Sequence, residues 1–78
     1  MGPRGMQVSY RIEIEQEADG RFLAEVQELP GVMAYGQTAE DALAHVQALA
    51  LRVLADRLEH GEGPSGPVSV SFETFAAA

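Results

Sequence analysis

The sequence predicts a single α+β domain, a mainly antiparallel four-stranded sheet with one helix packed on one face, in the order β-β-β-α-β. Three observations lead there. Apolar and polar residues alternate over Val8–Gln16, over Arg21–Gln27 and again from Val68, which is the period of a half-buried strand. One long segment, Ala39–Glu59, instead repeats its apolar residues at helical spacing. A chain of 78 residues without cysteine has room for one core and no disulfide to support it.

The first strand carries Val8, Tyr10, Ile12 and Ile14 on one face and Ser9, Arg11, Glu13 and Glu15 on the other. Residues 1–7 are expected to be a flexible lead-in. Ala18-Asp19-Gly20 then reads as a turn, followed by Phe22, Ala24 and Val26 on the apolar side of a second strand. Parity sets the hairpin register. A two-residue Asp-Gly loop would bring Ile14 opposite Glu25 and mix the faces. A three-residue loop, Ala18 to Gly20, brings Ile14 opposite Ala24 and places Gly20 where a left-handed residue is needed. That register sets Glu13 directly across from Glu25.

Leu29-Pro30-Gly31 turns the chain, Val32–Tyr35 is long enough for a short third strand, and Gly36 ends it. Which face of that strand is buried is not fixed by so short a run. Thr38 is positioned to cap the helix, and Glu40 and Asp41 suit its N-terminal dipole. Leu43, Val46, Ala50, Leu54 and Leu58 form the stripe expected to cover the sheet. A flanking stripe of Ala42, Leu49 and Val53 reads as further burial or as a self-association contact. Arg57 and His60 suit the helix C-terminus, and Gly61 stops it. A Gly- and Pro-rich loop leads to the fourth strand, with Val68, Val70 and Phe72 alternating against Ser69, Ser71 and Glu73. The domain is expected over 8–75, with 76–78 a frayed tail. If the third and fourth strands run parallel, the helix is their crossover.

Charge narrows the function. Five Arg, no Lys and twelve acidic residues give a net charge of −7. Binding nucleic acid through its phosphates needs a cluster of cations, and the sequence has none. No stretch approaches the roughly 18 apolar residues of a membrane span, and the start leads into no signal-peptide run, so a cytoplasmic protein is expected. With two histidines and no cysteine, zinc is a poor fit. His45 is expected to pair with Asp41 on the helix surface. The strand serines have no nucleophile-elbow context, and Gly36-Gln37-Thr38-Ala39 lacks the glycines and lysine of a phosphate loop. No catalytic residue, metal or cofactor is implied.

What remains is the polar sheet face: Arg11, Glu13, Glu15, Glu25 and Glu73. Like charges directly across a strand pair repel, and a partner's Arg or Lys would relieve them. The alternatives are glutamates splayed into water beside Arg11, or a carboxylate cluster for a divalent metal in a nuclease. Against the nuclease, such a face repels a polyanionic substrate.

As a set, Tyr10-Arg-Ile-Glu-Ile, Asp19-Gly20, Phe22 to Val26, Glu28-Leu29-Pro30-Gly31, Gly36-Gln-Thr38 and Glu40-Asp41-Ala42-Leu43 resemble the HicB-like antitoxins, over roughly residues 8 to 72. The resemblance implies a partial ribonuclease-H-like β-β-β-α-β unit that self-associates as a dimer or larger homo-oligomer. It further implies binding of a small basic toxin that degrades messenger RNA, with the toxin's active site masked. Full-length members usually carry a C-terminal DNA-binding segment, which this chain, ending at Ala78, is expected to lack. Pro30, Gly31, Gly36 and Thr38 within these motifs have structural roles. The alternative to an antitoxin is a stand-alone oligomeric module that binds another protein or a small ligand.

Overall fold

A computed structural model describes residues 5–63 and 65–76. Strand β1 spans Met6–Gln16, β2 Phe22–Val26, β3 Met33–Gly36 and β4 Val68–Ala76, with helix α1 over Ala39–Glu59 between β3 and β4. The strand order in the sheet is β3-β2-β1-β4. β1 pairs antiparallel with β2, β2 antiparallel with β3, and β1 parallel with β4. The sheet is therefore mixed, with two antiparallel pairings and one parallel. β3 and β4 do point the same way, but they form opposite edges, and α1 carries the chain from one edge to the other.

The hairpin follows the parity argument. Glu17 N–H donates to the Arg21 carbonyl at 2.7 Å, and Gly20 N–H to the Glu17 carbonyl at 2.9 Å, leaving Ala18 to Gly20 as the loop. Gly20 has φ 93°, a conformation glycine adopts without a steric penalty. Ile14 faces Ala24, Ile12 faces Val26 and Glu13 faces Glu25.

β1 and β4 are longer at their ends than alternation suggests. Met6 and Gln7, expected in the flexible lead-in, belong to β1, where they pair with Val68 and Ser69. Ala76, expected to fray, pairs with Ile14. Residues 1–4 of the lead-in and Ala77 and Ala78 of the tail lie outside the described residues.

The helix keeps its expected bounds. Thr38 Oγ1 accepts from the Asp41 amide at 3.0 Å. At the other end, the amides of His60 and Glu62 donate to the Asp56 and Arg57 carbonyls. Its buried face, however, is Ala42, Val46, Ala50 and Leu54, flanked by half-buried Leu43, Leu49 and Val53. Leu58, expected in the stripe over the sheet, is 42% exposed, whereas Ala42, assigned to the flanking stripe, is fully buried. Ala42 is buried because helix and strand approach closely at Gly36. A Cβ there would run into the Ala42 amide nitrogen and come within 2.8 Å of the Asp41 carbonyl carbon. At that separation small side chains sit beneath the helix axis and larger ones are pushed to either side. Ala42 is therefore unavailable to a second copy.

The core joins Ala42, Val46 and Ala50 to Tyr10, Ile12, Ala24, Val26, Leu29 and Val32. The helix packs on β3 and β2 and more thinly on β1. β4 joins the core through half-buried Val70 and Phe72, the Phe72 ring lying tilted against Tyr10 at 5.8 Å between centroids.

Candidate protein-binding face

Because α1 covers one side of the sheet, every strand residue of the opposite parity faces away from the core. The register sorts these residues into rows. Tyr35, Leu23 and Glu15 form one row; Met33, Glu25, Glu13 and Phe75 form the next; Arg11 beside Glu73 and Ser9 beside Ser71 follow. All five polar residues singled out from the sequence, Arg11, Glu13, Glu15, Glu25 and Glu73, thus share one uncovered face.

Glu13 and Glu25 are half-buried at its centre. The Gln27 amide donates to the Arg11 carbonyl at 2.9 Å, so by alternation Glu13 and Glu25 form a hydrogen-bonded pair, whose Cα atoms lie about 5.5 Å apart. Two carboxylates held at that spacing repel. Among the described residues, neither makes an ion pair or side-chain hydrogen bond, and the same holds for Glu15 and Glu73.

Arg11 does not relieve them. Its guanidinium Nε donates to Glu28 Oε2 at 2.9 Å, and its backbone amide donates to Glu28 Oε1 at 2.8 Å. β2 ends at Val26, so the Arg11 amide would otherwise lack a partner, and the Glu28 carboxylate takes the place of the missing strand. Accepting that amide, with the guanidinium beside it, holds the Glu28 carboxyl below its ordinary range. The open face is left with four unmatched carboxylates among exposed apolar groups: Met33, Tyr35 and Phe75 are each more than 40% exposed.

Sequence reasoning missed these apolar members and Glu28. Phe75 was within reach of parity, since it continues the Ser71, Glu73 series; Met33 and Tyr35 were not, because four residues give alternation too little to work on. Tyr35 is held on three sides. The Arg21 guanidinium lies 4.2 Å over its ring, its hydroxyl is 3.5 Å from Glu17 Oε1, and its carbonyl oxygen is 3.2 Å from His45 Nδ1. His45 thus meets the β3 backbone rather than Asp41. Arg21 also pairs with Asp19, whose carboxylate accepts the Arg21 amide and then its side chain. Those bonds lower the Asp19 pKa and raise that of Arg21.

At one end of the sheet an open cleft of about 690 Å³ is lined by Ile14, Glu15, Gln16, Phe22, Thr74, Phe75 and Ala76. The serine hydroxyls of Ser9 and Ser71 lie 3.1 Å apart on the open face. Both histidines bond to backbone carbonyls, His45 to Tyr35 and His60 to Asp56. Among the described residues no three His, Asp or Glu side chains converge as metal ligands, and no helix is long and apolar enough to cross a membrane. Comparison with known proteins returns no match: no family model fits the chain, and no curated sequence or solved structure is significantly similar to it.

Proposed function

We propose that this chain is a HicB-like antitoxin module, a non-enzymatic protein that binds a small basic, messenger-RNA-degrading toxin on its uncovered sheet face and masks the toxin's active site. The observation that carries the reading is the row Met33–Glu25–Glu13–Phe75. It sets two unmatched, half-buried carboxylates between two exposed apolar side chains. A cationic partner gains twice there. Its Arg or Lys side chains relieve the repulsion between the glutamates, and its apolar groups cover Met33 and Phe75 in a desolvated centre. The remaining charge of the chain, −7 in all, speeds encounter with a basic protein. The β3-β2-β1-β4 order, with β4 parallel to β1, supports the partial ribonuclease-H-like reading of the fold.

The test is purification of the tagged chain at native abundance from its own host, mass spectrometry of what accompanies it, and assay of any small basic companion for RNA cleavage. The expected result is a stoichiometric companion whose cleavage stops when the chain is added back. The double variant Glu13→Gln/Glu25→Gln should bind that companion about tenfold or more weakly. If only the chain itself is recovered, the antitoxin reading gives way to a stand-alone module. The cleft beside Glu15 and Gln16 then becomes the place to look for a small ligand.

A further inference from the structure

α1 leaves one end of the sheet uncovered on its own side. Its first turn closes over Gly36 on β3, two strands away from β1, and the helix packs on β1 only thinly. Toward the ends of β1 and β4 the register sets Ile14 beside Ala76 and Ile12 beside Thr74, and Phe22 beside Gln16. Ile14 and Phe22 are packed against the core with only part of their surface. The remainder, with Thr74 and Ala76, forms the floor of the open cleft of about 690 Å³, and Phe75 and Glu15 reach it from strand positions of the opposite parity. A space of that size falls in the range, roughly 300–1,000 Å³, that holds a small organic molecule.

The chemistry of the lining is one-sided. Glu15 is its only charged side chain among the described residues, and its carboxylate makes no ion pair or side-chain hydrogen bond among them. Gln16 donates Nε2 to the Gly20 carbonyl at 3.2 Å, which engages the donating end of the amide and leaves Oε1 to accept. An ionised carboxylate likewise only accepts. The rest of the lining is largely apolar and includes two aromatic rings, Phe22 and Phe75, whose faces attract cations.

We propose that this cleft binds a small organic cation, a primary ammonium group carried on an apolar body. The ammonium has three donors and no acceptor, which matches Glu15 and Gln16 Oε1. The apolar body lies on Ile14, Phe22 and Phe75 and is removed from water there. Sign and shape select this occupant. A carboxylate or phosphate meets Glu15 with no compensating cation beside it. A neutral apolar molecule partly desolvates Glu15 without pairing it, and a bare metal ion finds one carboxylate where it needs several oxygen ligands. The proposal does not rest on the antitoxin reading. Phe75 borders both surfaces, but a ligand in the cleft needs neither Glu13 nor Glu25, and a partner on the open face needs no cleft.

Titration of the isotope-labelled full chain with phenethylammonium, followed through its amide chemical shifts by NMR, tests it. The expected result is saturable binding with a Kd of about 1 mM and the largest shifts at Ile14, Glu15, Phe22, Thr74 and Phe75. Phenethyl alcohol and phenylacetate should bind about tenfold or more weakly, since only the ammonium makes a charge-assisted hydrogen bond to Glu15. Glu15→Gln should lose the same factor for phenethylammonium. Glu59→Gln, which removes one charge at the far end of α1, should bind as the parent does. Thr74→Lys sets a cation on the exposed floor and should abolish binding, with unchanged shifts elsewhere showing that the chain is still folded. Shifts that show no saturation well above the expected Kd overturn the proposal. So does equal binding of the alcohol, which would make the cleft a neutral apolar site. Shifts centred on Glu13 and Glu25, or binding retained by both Glu15→Gln and Thr74→Lys, overturn it as well, because the cation is then drawn elsewhere on the acidic chain.

Discussion

β3 and β4 bound the same sheet and run in the same direction, yet they are held by different means. β3 has four residues and is fixed from every side. Gly36 lets the helix backbone close over it, His45 binds its Tyr35 carbonyl, and Arg21 lies on the Tyr35 ring. β4 has nine residues and is held almost wholly by its ladder to β1 and by Val70 and Phe72 against the core. A short strand is secured by side-chain and helix contacts, a long one by backbone pairing. Among the described residues, the strand with the more extensive ladder is the one with no element packed along its outer edge.

That contrast breaks first at Gly36. Gly36→Ala puts a methyl group into the backbone of Asp41 and Ala42, and urea denaturation should show a loss of about 3 kcal/mol. Phe72→Ala should cost about 2 kcal/mol, less than a fully buried phenylalanine because the ring is half-exposed. If Phe72→Ala proved the more damaging of the two, β4 rather than β3 would be the better-anchored edge.

Smaller effects sharpen the picture where β2 stops. The Glu28 carboxyl is held below its ordinary value of 4.5 by the Arg11 amide and guanidinium. A depressed folded-state pKa contributes stability above the unfolded value, and that contribution is lost as pH falls through the folded one. Glu28→Gln should therefore cost less than about 1 kcal/mol at neutral pH, since the pair is partly solvated. The difference from the parent should shrink as acid protonates Glu28, as denaturation curves at a series of pH values would show. Least of all, His45→Ala should cost about 0.5 kcal/mol and speed amide hydrogen exchange at the β3 edge while leaving β4 unchanged.

The hairpin and the helix were legible in the sequence because each rests on a strong local signal. Parity admits one loop length that keeps Ile14 on the side of Ala24, and Thr38 and Gly61 mark the helix ends. What that signal carried furthest was the facing of Glu13 and Glu25. The helix face was read correctly at Val46, Ala50 and Leu54 and missed at its ends, where hydrophobicity favours Leu58 over Ala42. The closeness that gives alanine the central position comes from Gly36, which the periodicity does not see. The placement of β4 beside β1 was not legible at all: alternation says which side chains share a face, never which strands are neighbours. Glu28 escaped for a related reason, because its role depends on where β2 ends relative to β1.

The parallel pairing of β1 with β4 also has a kinetic consequence. Ser9 and Ser71, which touch across it, are 62 residues apart in sequence, whereas the β1–β2–β3 meander closes through short turns. Contacts between distant residues form late because loop-closure entropy opposes them. A chain emerging from the ribosome can therefore assemble the meander and lay its helix across it while one side of β1 still stands bare. Only β4, which follows them in the chain, fills that side. Until it does, β1 itself offers an open edge to any extended segment nearby, and the interval before β4 arrives is when this small protein is most exposed to pairing with the wrong strand.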